Sequence, residues 1–158
     1  EQISGGDVRR MFNTEARWGE EEGLLQGYSY KFLKNYSPFG SYLKPYCGLI
    51  NFGICREIGK SRPDLVILMG WNNPTWWMAA LSCIFNKIPF CYMSDTNIQG
   101  EFDKNRTRRW VKKILLGMVH FPVASGFLCS GNANKRFYRH FNVPSKKLIS
   151  FAPMLFIA

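Results

Sequence analysis

Trp71, Asn72, Asn73, Asp95, Asn97, Gly131, Asn132 and Asn134 fall in three short clusters, each directly after an apolar run. Carboxamides donate and accept hydrogen bonds, a carboxylate accepts them, and an indole offers a flat apolar face. Such a set suits a polar ring bearing several hydroxyls, a sugar for example, and these eight residues are the candidate substrate contacts. The same residue types ahead of a helix also cap its first N–H groups, and capping alone explains any one of them. The convergence of three clusters is what favours a site.

Asp95 is the only carboxylate that immediately follows an apolar run, which makes it the candidate for orienting a hydroxyl or accepting its proton. No second carboxylate stands at a defined spacing from it. His120 and His140 have no partner nearby in sequence, and no His or Cys cluster has metal-ligand spacing, so no metal is expected. Neither a GxSxG nor a Walker A stretch occurs, and no GxGxxG follows an apolar run. A nicotinamide is disfavoured and no cofactor is expected.

The elements that would position these groups follow from the apolar pattern. Leu65 to Met69 is a short continuous apolar run, the mark of a strand buried on both faces. Pro74 suits the first turn of a helix over 75–86, because its missing N–H costs nothing there. Ile88 to Met93 reads as a second strand. Trp110, Val111, Ile114, Leu115, Met118 and Val119 share one face of a helix over 106–119. Phe127 to Ser130 is a third strand, Gly131-Asn132 opens a helix running to Phe141, and Leu148 to Phe151 is a fourth strand. Strands alternating with helices predict an α/β fold, a Rossmann-like parallel sheet flanked by helices. In such sheets ligands bind beyond the carboxyl ends of the strands, where all three clusters fall, together with Ala152-Pro153.

Residues 61–158 carry this regular core. Residues 1–60 read as an irregular part of the same domain, with an extended piece at Tyr30 to Leu33 and a helix over Cys47 to Gly59. The chain starts without an obvious first strand and ends on the apolar MLFIA, so a fragment of a longer protein is the expectation.

A chain of 158 residues with 46% hydrophobic and 20% charged residues is long and apolar enough for one buried core. Lys and Arg number 21 against 11 Asp and Glu, so part of the surface should attract anions such as phosphate esters, lipid head groups or nucleic acid. The run KNRTRRWVKK, residues 104–113, places Arg108, Arg109, Lys112 and Lys113 on the amphipathic helix, where they would touch an anionic membrane or simply face water. Aromatics interleaved for base stacking are missing from it, which disfavours nucleic acid. Five cysteines with no CxxC pair read as reduced thiols, and no apolar stretch approaches the roughly 18 residues needed to span a bilayer. A cytoplasmic chain, at most peripheral on the inner face of a membrane, is the expectation.

The succession RPDLVILMGWNNPTWWMAAL, NKIPFCYMSDTN, RRWVKKILL and GFLCSGNANKRFYRHFNVPSKKLISFAP resembles the N-terminal half of group 1 (family 4) glycosyltransferases of the two-domain GT-B architecture. RWGEEEGLLQGYSYKFLKN is similar to a segment found upstream in some members. The resemblance runs over residues 10 to 153, and rests on the order and spacing of short motifs. It implies a retaining transfer of a sugar from a nucleotide-sugar to an acceptor, a sugar or a lipid-linked molecule, in a cleft between two domains. This half would hold the acceptor, and a C-terminal domain absent here would hold the donor, so this half alone is expected to be inactive. By position, Trp71, Asn72 and Asn73 match the loop after the family's Pro-Asp-x-Val strand, Asp95 and Asn97 its Asp-Ser/Thr-Asn-like loop, and Gly131, Ala133 and Asn134 its Gly-x-Ala-Asn helix start. Two other readings compete: a non-catalytic α/β binding module for an anionic small molecule or partner protein, and a nucleic-acid-binding domain.

Overall fold

The computed structural model describes residues 27–39, 47–96 and 112–151. Four parallel strands stand in sequential order, β1 (Val66–Leu68), β2 (Phe90–Met93), β3 (Gly126–Cys129) and β4 (Leu148–Ser150). Helix α1 (Gly53–Ser61) precedes β1, and α2 (Pro74–Asn86) crosses from β1 to β2. Between β2 and β3 the described helix α3 comprises a π-helical stretch, Leu115–His120, that continues as Phe121–Val123. Helix α4 (Asn132–His140) and a 3-10 turn, Ser145–Lys147, lead into β4. The α/β class and the order of elements are those predicted, with most boundaries shifted by one or two residues, but the helix expected over Cys47 to Gly59 begins only at Gly53 and the one expected to end at 119 runs on to Val123; positions 106–111 and 152–158 lie outside the described residues.

The register sets Leu68, Tyr92, Phe127 and Leu148 side by side on one face of the sheet. These pack beneath the helices with Ile58, Trp71, Ala79, Phe121, Phe137, Tyr138 and Phe141 in a core that is mostly aromatic. Tyr92 and Phe127 lie nearly parallel at 5.8 Å, and Phe121 meets Phe127 edge-on at 5.0 Å. The opposite face departs from expectation. Leu65, Ile67, Met69 and Ile149 are 49%, 47%, 54% and 49% exposed, so β1 is buried on one side only. The reason is topological: crossovers of one hand between strands in sequential order place every helix on the same side.

Local chemistry explains the helix ends. Pro74 opens α2, as predicted. Lys87 and Asn142 follow α2 and α4 with φ of 58° and 62°, in the left-handed region. Each is part of a reciprocal C-terminal pair: Lys87 and Ile88 donate to the carbonyls of Ile84 and Cys83, and Asn142 and Val143 to those of Arg139 and Tyr138. In α3 the Phe121 N–H reaches back five residues to Leu116, and Pro122 has no N–H to continue an α-helical ladder, which accounts for the wider turn.

The irregular N-terminal part is ordered by side chains. Asn35 donates to the Gly48 carbonyl and accepts from the N–H groups of Ser37 and Ile50. Asn51 donates to the carbonyls of Leu33 and Lys34, while its Oδ1 and N–H both bond the Thr75 hydroxyl at the start of α2. Among the described residues no helix is long and apolar enough to cross a membrane.

Candidate functional site

Two of the three predicted clusters meet at the carboxyl edge of the sheet. Met69, Gly70, Trp71 and Asn72 after β1 and Met93, Ser94, Asp95 and Thr96 at the end of β2 line a cleft of about 390 Å3. Gly70 makes the first turn possible, since its φ of 114° is one that L side chains rarely adopt. The turn is then fixed by the Trp77 indole N–H, which donates to the Trp71 carbonyl at 2.6 Å.

The third cluster braces the second. Asn134 Nδ2 donates to the Thr96 carbonyl at 2.6 Å, and Tyr138, one turn further along α4, shares a 2.9 Å hydrogen bond with Ser94 Oγ. Burial pushes the Tyr138 phenol up to about 12, so it stays a neutral hydroxyl beneath the cleft. Behind the cleft, Tyr92 and His120 Nδ1 lie 2.8 Å apart, with the imidazole edge-on to Trp77 at 4.1 Å. Burial holds the His120 imidazole below its ordinary value and pushes the Tyr92 phenol up, so a neutral imidazole and a neutral phenol share this hydrogen bond.

The predicted contacts therefore divide. Asn72 and Asp95 line the cleft, Asp95 exposed and Asn72 half-buried. Trp71 also lines it, but not as an open stacking platform: it is 7% exposed, lies nearly parallel to Phe137 at 5.2 Å and meets Phe121 edge-on. Its ring belongs to the core. Asn73 and Asn134 are buried, and neither caps a helix through its side chain; Asn73 Nδ2 leans on Asn72 Oδ1 at 3.4 Å. The Oδ1 atoms of both are buried without a hydrogen-bond partner. Gly131 and Asn132 are exposed and stand outside the cleft wall, and Asn97 lies outside the described residues. Of the basic helix, Arg108 and Arg109 also lie outside them. Lys112 turns inward, its amine 5.3 Å from the Trp71 ring, 5.2 Å from Phe137 and 5.6 Å from Phe141, whereas Lys113 is exposed.

No known protein family, curated protein or solved structure matches the chain. The chemistry of the cleft must be taken from its own walls. Among the described residues that line it Asp95 is the one charged group, although the chain as a whole carries +10. Beside Asp95, the hydroxyl and amide groups of Asn72, Ser94 and Thr96 and the two methionines make a hydrogen-bonding, partly apolar recess. Met69 and Met93 were not singled out from sequence; their signal is the strand alternation, which turns the last residues of β1 and β2 away from the helices. Tyr138 was also missed, and its signal is the four-residue spacing from Asn134 on one helical face. Among the described residues no group of three His, Cys, Asp or Glu side chains is placed to hold a metal ion.

Proposed function

We propose that the chain is the N-terminal, acceptor-side domain of a retaining glycosyltransferase, which moves a sugar from a nucleotide-sugar held by another domain to an acceptor bound in the cleft. The observation that carries this reading is the meeting of the post-β1 and post-β2 loops in one recess walled by Asn72, Ser94, Asp95 and Thr96. Hydroxyls of a sugar ring find acceptors in Asp95 and Asn72 and both donors and acceptors in Ser94 and Thr96. Asp95, exposed at the rim, is the group that would orient the attacking hydroxyl. The order of motifs along the chain supports the same reading.

A non-catalytic binding module is the second reading, favoured by there being one carboxylate among the described residues of the cleft. Among the described lining residues there is no Lys or Arg, and beside Asp95 neutral hydrogen-bonding groups are what these walls offer a ligand. The test is a titration of the 15N-labelled chain with methyl glycosides, nucleotide-sugars and sugar phosphates. Neutral sugars should shift the amides of Asn72, Ser94 and Asp95, while nucleotide-sugars bind weakly or not at all. Tight sugar-phosphate binding at these amides, or no sugar response there, would overturn the proposal. Turnover by an enzyme containing this domain separates the two readings.

A further inference from the structure

Helix α2, PTWWMAALSCIFN, carries no charged residue, although a helix lying on one side of a sheet normally turns a polar stripe to water. Its outward side is apolar instead. Leu81, Ile84 and Phe85 are 51%, 43% and 82% exposed, and Met118 on the neighbouring α3 is 72% exposed. The four helices stand side by side in one layer: Cys55 of α1 meets Met78 of α2, Trp77 of α2 meets His120 of α3, and Gly117 of α3 approaches Phe141 at the end of α4. The exposed groups are not a core left half-built, because the same helices bury Ala79, Cys83, Leu116, Phe121 and Phe137.

Positive charge frames this apolar centre. Arg56 and Lys60 on α1, Lys87 after α2, Lys113 just ahead of α3, and Arg136 and Arg139 on α4 are all exposed. No carboxylate stands on α2, α3 or α4, and the one on α1, Glu57, lies 2.7 Å from Lys31. The asymmetry runs through the sequence: residues 1–103 hold ten Lys and Arg against eleven Asp and Glu, and residues 104–158 hold eleven against none. The whole net charge of +10 thus arises in the part of the chain that supplies α3 and α4.

We propose that the outward side of the helix layer, α2 and α3 with the flanking cations of α1 and α4, docks on an anionic lipid membrane. Acyl chains take up Leu81, Ile84, Phe85 and Met118, while the Lys and Arg side chains reach the lipid phosphates around them. A nucleic-acid backbone would pair with the cations and leave the apolar centre against phosphate and water. A protein partner would need a pocket shaped to Phe85, whereas a fluid bilayer needs none. The face extends well beyond the basic run 104–113, since its inserting groups stand on a helix without charge. The inference is independent of what the cleft binds.

The experiment sediments the full chain with vesicles of phosphatidylcholine alone and of phosphatidylcholine containing roughly one-third phosphatidylglycerol. Binding to the anionic vesicles should exceed binding to the neutral ones at least about tenfold and should weaken with salt. Arg136→Gln with Arg139→Gln, and separately Leu81→Ser with Phe85→Ser, should each weaken it about tenfold or more, all four positions being exposed. In 15N spectra with bicelles of the same anionic mixture carrying a nitroxide lipid, the amides of Leu81, Phe85 and Met118 should broaden more than those of Leu65, Ile67 and Ile149 on the open sheet face. Equal binding to both vesicles, broadening strongest on the sheet face, or unchanged binding by the folded Leu81→Ser, Phe85→Ser chain would overturn the proposal. So would binding of a short DNA duplex by a chain that leaves both vesicles in solution. The broadening pattern needs no variant, so it decides the matter even if a substituted chain does not fold.

Discussion

Asp95 is the residue on which the cleft's chemistry turns, being the single charge among the described residues of its wall. Replacing it with Ala removes a charged acceptor, and a hydrogen bond to a charged group is worth about 1.5–3 kcal/mol. Asp95→Ala should therefore weaken sugar binding about tenfold or more in an NMR titration, with urea stability within about 0.5 kcal/mol of the parent, as for other surface changes. A second prediction concerns Lys87, held in a left-handed conformation that costs a side-chain-bearing residue about 1–2 kcal/mol. Lys87→Gly relieves that cost but frees the unfolded chain, leaving a net gain of about 0.5–1 kcal/mol by urea denaturation. Residue types alone showed which positions carry polar chemistry, but not which way each side chain turns. Trp71 is the clearest case, because its neighbour Phe137 lies far along the chain and no local pattern announces their stacking.

At the scale of elements, the strand–helix alternation was readable because buried parallel strands are short and apolar while the helices between them carry a 3.6-residue stripe. The uncovered sheet face was not. A run such as Leu65 to Met69 looks the same whether one or both sides are covered, and only the order of strands decides. The π-helical stretch of α3 was also missed, since it depends on Pro122 and on how α3 meets the end of α4. At that meeting a Cβ on Gly117 would stand 3.0 Å from the Phe141 carbonyl oxygen. Gly117→Ala should accordingly destabilise the chain by about 1–3 kcal/mol in thermal or urea unfolding, as overpacking does. An unchanged midpoint would show that α3 shifts away at no cost.

For the molecule as a whole, pH should act through His120. Its folded imidazole lies below the ordinary 6.5, so the unfolded chain takes up a proton that the folded chain resists. Stability from this group is fully present above about pH 6.5 and is lost as pH falls toward the lowered folded value. Urea unfolding at pH 7.5 and pH 5 should show that loss, and His120→Gln should flatten it. An equal slope in the variant would assign the acid sensitivity to other groups. One further property follows from where the sulfur atoms lie. Cys47 and Cys55 are exposed, whereas Cys83, Cys91 and Cys129 are buried in α2, β2 and β3. A thiol-specific alkylating reagent should thus label two positions promptly and the other three only during transient opening. The three slow rates would then act as built-in clocks for three separate pieces of the domain.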